Sequence, residues 1–285
     1  MTMSCLPCIR SLLRDLLRAL LLSIGVFATS GIADEPARPE HPLDPAIKMA
    51  EEGLQRIDSS IKDYTAVLVK RERVGGTLQP YEYMEAKIRH QQREGKRITV
   101  PFSVYLKFIK PEELKGREVI YVKGRNGGKM IAHDPPGSWT YKVAGTVYIE
   151  PDGFLAMRGN RYPVTEIGFR TLIVRLIEVA KAERKLGRPE ECTVQFFRNA
   201  KVNGRNCTRI DVEHPVKRKG YRFHIARIFI DDELRIPIRY EAYDWPKRSG
   251  GSPQLLEEYT YLKVKLNVGL TDFDFDPKNP HYKFD

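Results

Sequence analysis

The chain is poor in the residues that announce a catalytic or metal centre. Its 285 residues include four cysteines and six histidines, and no cysteine pair stands at zinc-site spacing. His41, His90, His133, His214, His224 and His281 are scattered; no HExxH motif contains them, and no GxSxG elbow occurs. These gaps exclude the common zinc hydrolases and the elbow-type esterases. An enzyme acting on envelope polymer would need a dispersed site, with His133 and Asp134 of "IAHDPPG" and His214 of "VEHPV" as its candidates, yet these residues end strands before prolines, where polar side chains are ordinary. No metal or cofactor is expected. In "LTDFDFDP" the carboxylates of Asp272, Asp274 and Asp276 alternate with Phe273 and Phe275. That reads as a strand with a solvated acidic face, not as the tight oxygen-rich loop calcium prefers. The glycine-rich "GRNGGK" lacks the spacing and the following helix of a phosphate cradle, so it is a turn.

Long apolar runs are also missing. The longest near the start, "ALLLSIGVFA", falls short of the ~20 residues a spanning helix needs. It follows Arg10, Arg14 and Arg18 and precedes the small residues Gly31 and Ala33. Residues 1–33 are therefore expected to be a cleaved export leader, which places the protein in the periplasm or cell envelope. Residues 34–45, "DEPARPEHPLDP", read as a flexible lead-in, and 46–285 as one domain of 240 residues, enough for a core without staples. The net charge of +11 favours an anionic surface as partner but does not select nucleic acid. Export makes a bond between Cys192 and Cys207 chemically allowed. A hairpin at Asn203-Gly204 sets Ala200 opposite Cys207, however, and leaves Cys192 about 26 Å further along the strand at ~3.3 Å per residue. A disulfide would need a bulge or fold-back there.

What the chain does contain is alternation. Ile47, Ala50, Leu54, Ile57 and Ile61 recur at helical spacing behind Asp44 as cap and Pro45 at the first position. "YTAVLVKRERV" and "EYMEAKIRHQQ" then form a hairpin over Gly75-Gly76. In "VPFSVYLKFIKP", Val104, Leu106 and Phe108 point one way, and Tyr105, Lys107 and Ile109 the other. "REVIYVKG" and "GKMIAHD" pair across the next turn. A second amphipathic helix follows in "TEIGFRTLIVRLIEVAKAERKLG", with Thr165 as candidate cap, Ile167, Leu172, Leu176, Val179 and Ala180 on one face, and Gly187 as stop. Three long strand-rich segments close the chain, and in one of them Leu234, Ile236, Ile238, Tyr240 and Ala242 share a face. Strands such as "AVLV" and "EVIYV" are apolar on both sides, as in a sheet covered on both faces.

"ARIFIDDELRIPIRYEAYDWP", followed by "EEYTYLKVKLNVGLTDFDFDPKNP", resembles the closing strands of the LolA- and LolB-type periplasmic lipoprotein carriers. "VYLKFIKP" with "VIYVKGRNGGKMIAHDP" resembles their earlier strand and hairpin. Residues 46 to 280 look more closely like an uncharacterised family of exported bacterial proteins, a domain of unknown function placed near those carriers. The resemblance implies an α+β fold with a strongly curved antiparallel sheet, a half-open β-barrel with two main amphipathic helices over one face. It also implies an apolar cavity for acyl chains, although a solid core has the same strand signature. The arginine that holds the carriers' lid matches no single residue here.

On that basis the expected function is noncatalytic binding of a lipid or lipoprotein acyl chain, as carrier or sensor. The alternative is an envelope structural or protein-interaction domain with a packed core. Candidate lining residues are Val104, Leu106, Phe108, Leu172, Leu176, Ile228, Ile230, Ile236, Ile238 and Tyr240. "DGFLAMRGN" offers Phe154, Leu155 and Met157 as a lipid-contact loop, or as an extra strand or lid packed on the core. Lys217, Arg218, Lys219 and Arg222 of "PVKRKGYRFH" are candidates for contact with an anionic membrane surface, or a solvated hairpin tip.

Overall fold

The computed structural model describes residues 40–186 and 188–284. The expected leader, residues 34–39 of the lead-in and the Gly187 stop lie outside the described residues. The chain runs through α1 (Asp44–Ser60), β1 (Asp63–Val74), β2 (Thr77–Leu78), β3 (Glu82–Arg89), β4 (Gln92–Glu94), β5 (Arg97–Val100), β6 (Ser103–Lys110), β7 (Glu118–Val122) and β8 (Met130–His133). It continues with α2 (Trp139–Ala144), β9 (Val147–Ile149), α3 (Phe154–Met157), α4 (Phe169–Arg184), β10 (Thr193–Val202), β11 (Arg205–Glu213), β12 (Ile225–Asp231), β13 (Pro237–Asp244) and β14 (Gln254–Leu266).

α1 forms where the three-and-four spacing demands it and buries Ile47 and Ile57. Leu43 occupies the cap position, one residue before the expected Asp44. The Asp44 carboxylate instead accepts from the His41 N–H at 3.1 Å and pairs with Arg184 of α4, tying the two helices together. The two glycines after β1 turn with positive φ, and β1 pairs with β3 from Asp63↔Arg89 to Lys70↔Glu82, the hairpin the alternation implied.

The main sheet is antiparallel, in the order β10-β11-β12-β13-β14-β1-β3-β6-β7-β8-β9, with β2 on β1. Neither β10 nor β9 pairs on its outer side among the described residues, and the sheet is neither closed nor strongly curled. The expected half-open barrel is thus replaced by an open sheet, while the α+β composition, the antiparallel pairing and the helices on one face remain. The reason lies in how the two-sided apolar strands are covered. On one face α1 and α4 pack over Leu68, Met84, Val104 and Leu106. On the other, Phe275 and Tyr282 of the C-terminal segment pack on Tyr105, Ile120, Val122 and Ile131. Separate segments cover both faces, so the sheet need not curl to bury itself.

α4 is seated by a glycine. Gly168 at its N-cap has φ +111°, and a Cβ there would lie 2.9 Å from the Tyr64 hydroxyl. Only glycine accepts both constraints. The next residue, Phe169, stacks on Tyr64 at 4.2 Å. The expected cap Thr165 lies instead in a 3-10 turn, Val164–Glu166. The helix's fully buried apolar residues are Phe169, Ile173 and Ile177, so the expected Leu172, Leu176, Val179 stripe is rotated off the tightest packing.

The "DFDF" segment is a 3-10 turn over Asp272–Phe275, not a strand. Thr271 and Asp274 cap one another reciprocally. Arg89 and Arg125 hold Asp272 at 2.6 and 2.8 Å, and Lys87 holds Asp274 at 2.8 Å. Phe275 is buried, whereas Phe273 is exposed. Cys192 and Cys207 are free and buried, with Ala200 opposite Cys207 in the β10–β11 hairpin as its turn required.

Candidate functional site

The helix-covered face is not filled by the protein's own side chains. A cavity of about 520 Å³ runs beneath α4 and the segment before it. Its floor comes from Tyr240 of β13, Tyr259 of β14, Leu68 of β1, Met84 of β3, Leu106 and Phe108 of β6, Val119 of β7 and Met130 of β8. Those seven strands are consecutive in the sheet, so at ~4.8 Å per spacing the trough is roughly 29 Å long. Leu172, Leu176 and Val179 of α4 form its roof together with Tyr162, Pro163 and Val164.

A second cavity of about 660 Å³ lies between α1, α4 and strands β10 to β13 on the same face. Ile210, Val212, Ala226, Ile228 and Ile230 form its floor, and Ala46, Ile47, Ala50, Ile173, Leu176 and Ala180 its roof. Leu176, Val179 and Phe223 line both cavities, so they form the partition between them.

Of the expected lining residues, Leu106, Phe108, Leu172, Leu176 and Tyr240 face the trough, and Ile228, Ile230 and again Leu176 face the second cavity. Val104 and Ile236 are packed core instead, and Ile238 touches only a void of about 70 Å³ by the β10–β11 turn. Val104 and Ile238 occupy inward strand positions like the others, and Ile236 directly precedes β13. Alternation identifies a face but cannot tell which part of it another side chain covers.

The trough also has a polar stretch that apolar patterning passes over. Glu72 accepts hydrogen bonds from the Tyr259 hydroxyl and, at 2.9 Å, from the Arg161 backbone N–H. Arg161 Nε donates to Glu257 at 2.8 Å and its Nη1 to the Arg73 carbonyl at 3.1 Å. Lys70 donates to Asn160 and lies 3.0 Å from Glu82 and 3.7 Å from Glu72. Burial pushes the Glu257 carboxyl above the usual range against the pull of Arg161, and nearby Glu72 adds to the rise. Burial and then Glu257 push the Tyr162 hydroxyl up to about 12. These bonds fasten the segment carrying Asn160, Arg161 and Tyr162 to β1 and β14, so the roof is held to the floor at this point. Lys70 and Glu72 continue the inward register of Leu68, and Glu257 that of Tyr259 and Tyr261. A charge at an inward position was the signal available.

Phe154 and Leu155 stand out from α3, 84% and 67% exposed, next to Ala156, which lines the trough. Met157 is half-buried. The basic loop is less free than its composition suggests. Arg218 grips Glu191 at 2.6 Å and Lys217 pairs with Asp244 at 3.3 Å. Lys219 is exposed, and Arg222 is both exposed and part of the trough lining.

The histidine candidates sit elsewhere. His133 is buried on the opposite face of the sheet, where its Nε2 donates to Glu118 at 3.0 Å beside Tyr141 and Phe284. Glu118 also accepts from Tyr105 Oη at 2.9 Å and the Lys283 N–H at 2.7 Å, and so clamps the C-terminal segment. Asp134 pairs with Arg117. His214 is buried between Glu183, at 3.1 Å, and the stacked ring of Tyr221. Among the described residues no cluster of His, Cys, Asp and Glu could hold a metal ion, and no helix is long and apolar enough to cross a membrane.

Residues 61–284 match the family described as a protein of unknown function, DUF1571. No curated protein matches the chain. Among solved structures, a DUF1329 family protein from Desulfovibrio piger is 13% identical, with 83% of this chain and 98% of that one covered and a TM-score of 0.35. A putative outer membrane lipoprotein-sorting protein domain from Vibrio parahaemolyticus is 14% identical over 81% of this chain and 95% of that one, TM-score 0.37. The lipoprotein LppX of Mycobacterium tuberculosis is 11% identical over 82% and 100%, TM-score 0.41.

Proposed function

The chain belongs to the DUF1571 family, and we propose that this member binds the hydrocarbon of a lipid or lipoprotein noncatalytically, as a carrier or sensor in the cell envelope. The observation that carries this reading is the covered apolar trough left open between α4 and seven strands. A solidly packed domain has no use for it, because unfilled apolar volume costs stability at about 24 cal/mol per Å³. An acyl chain reaches ~15 Å into a leaflet, so the trough is long enough to take one lying along it. Each buried methylene contributes about 0.8 kcal/mol, and no reacting group is needed. The envelope location rests on the expected leader.

In this reading α3 is the loading point. Phe154 and Leu155 face solvent beside Ala156, which lines the trough, and would dip into a membrane surface while the chain transfers. The Arg161 contacts with Glu72 and Glu257 hold the roof segment in place. Titration of a fluorescent fatty acid tests the function. Saturable binding, displaced by unlabelled oleate, supports it, and the absence of any saturable signal contradicts it.

A further inference from the structure

Two cavities meeting at a single partition imply more than one chain of hydrocarbon. Phe223 is buried, lines both cavities, and shares that position with Leu176 and Val179 of α4. The residue before it, Arg222, is exposed yet lines the trough, so it marks where the trough reaches the surface beside the partition. The neighbouring cations are already compensated, Arg175 by Glu166, Arg218 by Glu191 and Lys217 by Asp244. Among the described residues Arg222 makes no ion pair, and Lys219 three residues earlier makes none either. Two cations thus stand without an ion pair beside the junction, where the partition itself, Leu176, Val179 and Phe223, is apolar.

We propose that the two cavities together hold one two-chain lipid with an anionic group near its chain junction. One chain lies in the trough, the other in the second cavity, and the anionic group rests at Arg222 on the surface above Phe223. This rests on the hydrocarbon-binding reading above and narrows its ligand class. The two cavities are of similar volume, about 520 and 660 Å³, as two chains of comparable length require. A guanidinium pairs with a phosphate diester in a charge-assisted contact. The fork of Arg222 supplies orientation, and the chains supply most of the affinity.

The test is native mass spectrometry of the full chain loaded with dioleoyl phosphatidylglycerol, its single-chain lyso form, or uncharged dioleoylglycerol. The two-chain anionic lipid binds one per protein, and the lyso form two per protein. Arg222→Glu weakens phosphatidylglycerol about fivefold more than it weakens dioleoylglycerol, the size of a surface charge contact. Ala46→Trp, which plugs the second cavity from α1, abolishes phosphatidylglycerol binding and reduces the lyso form from two copies to one. The retained copy shows that the variant is folded. Lyso lipid that never exceeds one copy, or phosphatidylglycerol binding indifferent to Ala46→Trp, overturns the two-chamber assignment and leaves single-chain binding intact. Failure of all three lipids and of fatty acid overturns the hydrocarbon-binding reading as well.

Discussion

Replacing Leu172 with tryptophan tests whether the space under α4 is used. Leu172 lies half-buried on α4 and projects into the trough, so the larger ring extends into open volume and not into a packed neighbour. If the indole displaces about three methylenes of ligand, the loss at ~0.8 kcal/mol each is about 2.4 kcal/mol, roughly sixtyfold in affinity. Overpacking a filled core costs 1–3 kcal/mol, whereas filling a void leaves stability unchanged or raises it. The variant therefore binds fluorescent fatty acid in the trough some sixtyfold more weakly with its urea midpoint unchanged or higher. A midpoint lowered by a stability loss of 2 kcal/mol or more, with affinity preserved, would refute the reasoning, because it would mean that α4 sits on a closed core and the ligand binds elsewhere.

Serine at both Phe154 and Leu155 removes two side chains worth about 1.5–3 kcal/mol each when buried, so vesicle binding falls at least tenfold. Stability moves by less than about 0.5 kcal/mol, since both residues are exposed; unchanged vesicle sedimentation contradicts the membrane role. Burial lowers the pKa of His214, but Cys192 and Glu183 outweigh burial and lift it to about 9. Because that lies above the unfolded value of 6.5, the stability from the protonated ring is complete below pH 6.5 and is lost as pH rises through about 9. Urea midpoints measured from pH 6 to 9.5 fall for the native chain and flatten in His214→Gln, and a midpoint that rises over this range contradicts the assignment. Cys192 and Cys207, both buried and free, react with Ellman's reagent only after unfolding; rapid reaction of either in the native protein would place it at the surface.

The elements of the fold were legible because each rests on local chemistry. Proline in the first turn of α1, the Asn203-Gly204 turn and the inward alternation of Leu68, Leu106 and Tyr240 each fix a piece of backbone without reference to the rest. The openness of the sheet was not legible, because two-sided apolar strands report cover without saying what supplies it. Here the C-terminal segment covers the second face through Phe275 and Tyr282, residues whose partners lie more than a hundred positions earlier in the chain. The acidic "DFDF" pattern misled for a similar reason. Alternation of charge and ring suits a strand, yet Lys87, Arg89 and Arg125 gather two of its carboxylates into a turn.

The candidate site was half legible. Most of the inward apolar residues do meet the cavities, but Val104 and Ile238, with the same inward phase, are covered by neighbours that the strand pattern does not reveal. The polar stretch around Glu72, Arg161 and Glu257 depends on residues 88 or more positions apart meeting in one place, and only the inward charges of β1 and β14 hinted at it.

The most direct test is a crystal structure with a brominated fatty acid bound, in which anomalous scattering locates the chain independently of the protein's own density. Bromine peaks are expected within the trough, between Tyr240 of β13 and Met130 of β8. Peaks confined to the outer surface, or an interior closed by the protein's own side chains, would contradict it.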